Sequence, residues 1–278
     1  MVTEKANLLI ESSNVMGYDA LGIGDDDLSL GKEFLMEISK KAKFPFLSSN
    51  LIEEQSKKPL FSPFILKKVN GLRIGIFSLL SPDFFAGPGD PRKKGLTLRP
   101  PVETAQNIVK ELRPKTDLII LLSHLSYPKD MELAQTVPGI HLIVGSHTGI
   151  NLPHPPIINQ HTVILQTAAK GMYGARLDLT LHNHEPAFYN TTTRQTVEQN
   201  IKTFNLRLNE AKSETDKAQW RKLIEDTERS LKQFQGKNEF TNALSPLGES
   251  IKDDPDIKKI VEAFRSKFPE PEKNQPPK

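Results

Sequence analysis

The chain has 278 residues, 37% hydrophobic and 26% charged, with a formal net charge of +3; it can bury a sizeable core but is too weakly basic to argue for nucleic acid. It contains no cysteine, which excludes disulfides, thiolate zinc sites and a cysteine nucleophile. No run approaches the roughly 18 apolar residues of a membrane span, and the opening MVTEKANLLIESSN lacks the basic flank and apolar core of a signal peptide. Read as complete, the chain is cytoplasmic and has no membrane partner.

Residues 4–14 read as the tail of a helix, and Met16-Gly17-Tyr18-Asp19 then turns into a short strand over 20–23. The chain thus reads as starting inside a domain, with no opening strand before its first helix. Gly24-Asp25-Asp26-Asp27 follows at once. Three adjacent carboxylates repel one another unless a metal ion or a helix N-terminus offsets them; the plainer reading is a solvated loop in which Asp27 or Ser29 caps the next helix. That helix, over 30–42, carries Phe34, Leu35, Ile38 and Ala42 on one stripe, and a strand begins near Phe46. Asn70-Gly71 between two apolar runs, 64–69 and 72–80, predicts a hairpin, because a type I′ turn needs positive φ at both central residues. Residues 82–101 form a long loop rich in proline and glycine, a length often reserved for function or movement.

A short amphipathic helix over 103–112 leads into the stretch around which the chain is organised. Two apolar runs, 118–122 and 142–144, each end in one or two small residues and a histidine, His124 and His147, with a helix over 129–135 between them. This is the pattern of a βαβ crossover with strands buried on both faces. Side chains just past the carboxyl ends of such strands face the crevice where open α/β sheets bind ligands, so the two imidazoles form a candidate metal-ligand pair. For either histidine alone, a strand-end residue bonded to a loop is the plain alternative. Two more strands, over 162–167 and 175–181, follow, the first closed by Gln166. His141, His154, His161, His182 and His184 share no placement and read as surface or loop residues.

Beyond about residue 190 the character changes. Val197, Ile201, Phe204, Leu208 and Ala211 repeat at heptad-like spacing, as do Trp220, Ile224, Thr227, Leu231 and Phe234, in a different register. Two helices meeting near 212–214 as an antiparallel hairpin are expected, with Ser213 and Asp216 resembling a capping box. A last helix starts at Asp254-Pro255 and buries Ile257, Ile260, Val261, Phe264 and Phe268. The division expected is 1–190 for an α/β domain lacking its first strands, 191–268 for a helical extension, and 269–278 for a disordered Pro/Glu/Lys tail.

The blocks NVMGYDALGIGDDDLSLG, KFPFLSSNL, LRIGIFSLLSP, DLIILLSHLS, VPGIHLIVGSHTG and VILQTAAKGMYGARLDLTL, in that order, resemble the catalytic domain of calcineurin-like metallophosphoesterases of the 5′-nucleotidase and UDP-sugar hydrolase branch. The resemblance implies an α/β/β/α sandwich, partial here, followed by the helical C-terminal extension. It also implies a pair of metal ions that clamp a phosphate ester and activate a water. Asp25 falls on the family's Asn metal ligand, Asp26 on its catalytic His, His124 on a ligand His, and His147 on the first His of Gly-His-Thr-His. The second His of that block falls on Gly149, and Asp26 cannot donate a proton as an imidazolium does at neutral pH. The family's Asp-x-His block has no counterpart in the chain, and Gly89-Asp90 stands in the wrong order to supply Gly-Asp.

These departures leave room for at most one divalent ion, zinc, manganese or magnesium, on Asp25, His124 and His147, with Asp26 or Asp27 as further ligands. Two functions are compatible with that, besides a plain single-metal binding protein. One is a phosphoric monoester hydrolase of the 5′-nucleotidase type, incomplete or inactive as the chain stands, acting on a small-molecule phosphate ester. The other is a pseudoenzyme that binds a protein partner through its helical extension. The resemblance implies a periplasmic home.

Overall fold

The computed structural model describes residues 1–183, 185 and 187–269; the expected tail from 270 onward and His184 lie outside them. In chain order the elements are α1 (Val2–Met16), β1 (Leu21–Gly22), α2 (Gly31–Ser39), β2 (Phe46–Leu47), β3 (Leu51–Glu53), β4 (Phe64–Val69), β5 (Leu72–Leu80) and β6 (Leu96–Leu98). The central part follows with α3 (Pro101–Leu112), β7 (Leu118–His124), α4 (Tyr127–Thr136), β8 (Leu142–Gly145), β9 (Ile157–Ile158), β10 (Thr162–Leu165), β11 (Tyr173–Thr180) and β12 (Phe188–Asn190). The chain ends with α5 (Thr191–Glu210), α6 (Glu214–Lys232), β13 (Asn238–Pro246) and α7 (Pro255–Lys267).

The apolar runs build a six-stranded sheet in the order β4-β5-β7-β8-β10-β9. Its four inner strands are parallel, and β4 and β9 are antiparallel edges. The hairpin β4-β5 turns through Asn70 and Gly71, both at positive φ, as the Asn-Gly pair requires. Alternate side chains of the inner strands serve opposite faces. One face sends Phe77, Leu79, Ile119, Leu121, Ile143 and Ile164 into a core with Ala105, Val109 and Leu112 of α3 and Leu133 of α4. Each fully buried Leu or Phe there contributes on the order of 1.5–3 kcal/mol of apolar burial.

The opposite face sends Leu118, Leu142 and Val163 against Phe188 and Phe240 of a second, three-stranded sheet, β11-β13-β12. Farther toward the carboxyl ends of the parallel strands, the pair β1-β2 crosses the same face. It comes so close that a Cβ on Gly22 would meet Ser78 Oγ at 2.6 Å and Leu122 Cβ at 3.0 Å. Behind that pair, α1 and α2 enclose a separate core around Ile10, Ile23, Leu35 and Phe46. The result is a partial α/β/β/α sandwich with a helical C-terminal end, the fold class expected.

Several features differ from the expectations, the first being strand β6 inside the loop expected over 82–101, where it pairs with β3. Strand β13 lies within the stretch read as a helical extension, yet it pairs with β11 over eight residues, from Tyr173 opposite Pro246 to Thr180 opposite Glu239. The stripe of α7 is only half-buried, with Val15 and Met16 of α1 lining a groove beside its Ile257 and Val261. His141 is not a surface residue: its Nδ1 accepts from the Ile119 amide at 2.9 Å, and burial lowers its pKa to about 4, keeping the ring neutral. The hairpin itself forms as expected, with Ser213 Oγ accepting from the Asp216 amide and Phe204 against Trp220.

Candidate metal centre

Strand β7 delivers His124 as its last residue, and His147 follows β8, the parallel neighbour, by two residues. Asp25 arrives from the third layer, in the loop after β1, where the close seat of Gly22 brings β1 over β5 and β7. The next residue but one, Gly24, is fitted to the ring of His124: a Cβ there would meet His124 Cε1 at 3.0 Å. The predicted trio therefore converges. Among the described residues, Asp25, His124 and His147 form the one group whose ligand atoms all lie within 4.8 Å of one another.

Asp25 Oδ1 lies 2.9 Å from His124 Nε2, and His147 Nδ1 lies 3.3 Å from the same nitrogen. The other side of His124 fixes its tautomer. Ser146 Oγ donates its only proton to the Ser123 carbonyl at 2.8 Å, so it accepts from His124 Nδ1 at 2.9 Å. The neutral ring then turns a bare Nε2 toward a carboxylate oxygen and a second imidazole nitrogen. A carboxylate oxygen facing an unprotonated Nε2 needs a cation, either a proton on Nε2, which then donates to Asp25 Oδ1, or a metal ion. A hydroxyl-supported His with N and O donors is what a divalent zinc or manganese ion takes, so the donor set fits.

His147 reaches this position from a left-handed backbone, φ 71°. Its ring is held by Phe84, stacked on it with centroids 3.5 Å apart and planes at 16°. Phe84 also meets His124 edge-on at 5.4 Å. Two expected additional ligands do not join. Asp26, the expected catalytic position, is 97% exposed at its side chain and approaches only Arg92, at 3.8 Å. Asp27 turns back so that its Oδ2 accepts from the Gly24 amide at 2.8 Å, and neither it nor Ser29 caps α2 as expected; that helix starts after Leu30 without a side-chain cap. Gln166 is buried at the end of β10 and pairs with Thr148.

Sequence reasoning missed Arg92. Its Nη1 donates to Asp25 Oδ2 at 2.6 Å, and Nε and Nη2 donate to the two carboxylate oxygens of Asp90 at 3.2 and 2.9 Å. Nη2 also donates to the Phe84 carbonyl at 2.6 Å, and the guanidinium lies over the Phe85 ring. Burial opposes ionisation of Asp25, but hydrogen bonds from His124 and Arg92 outweigh it and hold the carboxyl below its usual range. Asp90 is held lower still by Arg92 and the Ala86 amide. The signal available in the sequence was the length of the loop over 82–101, with Asp90-Pro91-Arg92 inside it.

No protein-family model matches the chain. A 5′-nucleotidase of Vibrio cholerae is 30% identical over 201 residues, which cover 61% of this chain and 36% of that protein. The crystal structure of a 5′-nucleotidase precursor from Thermus thermophilus is 27% identical with a TM-score of 0.56, covering 66% of this chain and 40% of that one. Its sequence relatives are thus 5′-nucleotidases and related calcineurin-like phosphoesterases. In fold it also matches calcineurin-like phosphoesterase YfkN of Bacillus subtilis, TM-score 0.65 at 15% identity, over 95% of this chain and 75% of that one. The chain spans 36% of the Vibrio relative and 14% of the trifunctional nucleotide phosphoesterase YfkN of Bacillus subtilis. Among the described residues no helix is long and apolar enough to cross a membrane.

Proposed function

We propose that this chain is a phosphate-ester-binding domain of the 5′-nucleotidase type, built around one divalent metal ion on Asp25, His124 and His147. The observation that carries the reading is the convergence of those three donors, two from neighbouring strand ends and one from a different layer of the sandwich. Bound there, the ion would supply Lewis-acid polarisation of a phosphoryl oxygen. The chain's own residues do the rest: Ser146 holds the tautomer of His124 and Phe84 holds the ring of His147. Nucleotide-type esters are the substrate class, from the 5′-nucleotidases the chain resembles, and a periplasmic location goes with the same reading. Binding without rapid turnover is expected, because Asp26 falls where the resemblance places a proton-donating histidine and its side chain stands in solvent.

The test is metal content and metal affinity of purified protein, with His124→Ala as control. Close to one manganese or zinc ion per chain is expected for the parent, at least tenfold weaker binding for the variant, and adenosine monophosphate bound only in the metal-loaded form. A metal content near zero that the substitution leaves unchanged would sink the proposal. The alternative role, a pseudoenzyme whose α5-α6 hairpin recruits a protein partner, draws support from the exposed polar length of that hairpin, in which no side chain is buried.

A further inference from the structure

The cation at this site that the chain itself provides is Arg92, and its fixation is out of proportion to a loop residue. Of five N–H groups on the side chain, one goes to Asp90 Oδ1, one to Asp90 Oδ2, one to the Phe84 carbonyl and one to Asp25 Oδ2. Its partner Asp90 is itself buried, 4% exposed at the side chain, and is fastened by the Ala86 amide at 2.8 Å and the Arg92 amide at 3.0 Å. The ring of Phe85 lies against the guanidinium carbon at 4.9 Å. A guanidinium so held has lost its side-chain entropy already, as an anion-binding group should. The fifth N–H, the second on Nη1, faces Asp26, whose nearest oxygen is 3.8 Å away, beyond hydrogen-bond length.

The same geometry constrains the metal. Asp25 has two oxygens: Oδ1 faces the two histidines and Oδ2 is taken by Arg92 at 2.6 Å. A carboxylate whose second oxygen is occupied by a guanidinium offers a metal one oxygen only, and any further cation near Oδ2 would meet a fixed positive charge.

We propose that Arg92 is the anion-binding residue of this site, gripping a phosphoryl oxygen beside the metal ion, and that by occupying Asp25 Oδ2 it confines the site to a single ion. The phosphate ester is thus held between one metal and one guanidinium. This rests on the one-metal reading above, and the experiment separates the two. Arg92→Met keeps the length of the stem and removes the charge; Arg92→Lys keeps the charge and loses the fork that spans Asp90 and Asp25.

Titration calorimetry with manganese alone, then with inorganic phosphate on the manganese-loaded protein, reads both parts. For Arg92→Met, manganese affinity at least tenfold higher, or a second ion bound, is expected, together with phosphate affinity at least tenfold lower. Arg92→Lys, which retains a positive charge in the loop, keeps one ion and an intermediate phosphate affinity, so the inference stays testable if the Met variant misfolds. Manganese and phosphate affinities that both variants leave within twofold of the parent would overturn it, as would weaker manganese binding in Arg92→Met, which would make Arg92 only a tether for Asp25. If the parent binds no manganese and Arg92→Met does, the one-metal function falls, and of the role of Arg92 only the repulsion of cations from Asp25 Oδ2 stands. If neither binds it, both fall.

Discussion

Asp130, on α4 beneath the strand ends, gives the sharpest test of the packing around the site. It is fully buried. Its Oδ1 accepts from Ser123 Oγ at 2.5 Å, while Oδ2 has no hydrogen-bond partner and is aimed at Gly145, where a Cβ would meet it at 2.6 Å. Burial pushes the carboxyl up to about 7, against the pull of the Ser123 hydroxyl. In the unfolded chain the same group ionises near pH 4. Between those values the folded protein keeps a proton that the unfolded chain has released, so stability falls as pH rises, by about 1.4 kcal/mol per unit. The loss is complete once pH exceeds about 7, where both states are ionised, and over the whole window it amounts to on the order of 4 kcal/mol. Asp130→Asn retains an acceptor for Ser123 and removes the titration. Urea unfolding at pH 5 and pH 8 should therefore show the variant gaining on the parent by about 2–3 kcal/mol across that interval. A difference between the two proteins that is the same at both pH values, within about 0.5 kcal/mol, would refute the assignment of a protonated buried carboxyl.

One further substitution tests how the layers meet. Gly22→Ala places a Cβ 2.6 Å from Ser78 Oγ and 3.0 Å from Leu122 Cβ, an overpacking expected to cost about 1–3 kcal/mol. Ser78→Gly in the same chain removes the nearest collision and should recover most of that loss in thermal unfolding. An equal loss with and without Ser78 would mean that β1 does not lie where the structure puts it.

The strands around the site were legible because their physics is local. Leu118 to Leu122 and Leu142 to Val144 are apolar without alternation, so they had to be covered on both faces, and the histidines that end them had to share a rim. Asp25 was visible as part of an acidic triplet, but its place beside the histidines was legible only through resemblance, since its approach to His124 depends on β1 crossing from another layer. Strand β13 was not legible: in Asn238–Pro246 only Asn238 and Phe240 are buried, and the extended form comes from its eight-residue register with β11, a tertiary cause that outweighs a weak local pattern. His141 was missed for the same kind of reason. Its neighbour on β7 supplies the Ile119 amide, 22 residues away in sequence, and spacing along the chain does not reveal it. Arg92 lies in a loop with no periodicity at all, where a side chain's destination is set by the fold rather than by the segment.

The departure at Gly149 is written into the backbone and not only into the side chain. Within three residues the loop has two left-handed positions, His147 at φ 71° and Gly149 at φ 64°. The first aims an imidazole at Asp25 and His124 and bears the strain of a non-glycine residue there, roughly 1–2 kcal/mol, in return for its stacking on Phe84. The second has no room for a side chain: a Cβ on Gly149 would lie 2.9 Å from Ala169 Cβ and 3.3 Å from its amide nitrogen. Gly149→His, which restores the residue the resemblance leads one to expect, would add a strained backbone and a collision without moving the ring toward the other donors. Stability should drop by roughly 1–3 kcal/mol and manganese affinity should not rise. A variant with unchanged melting temperature and at least tenfold tighter manganese binding would show that the loop between His147 and Ala169 is free to rebuild the missing ligand, and that the one-ion site is a matter of one side chain.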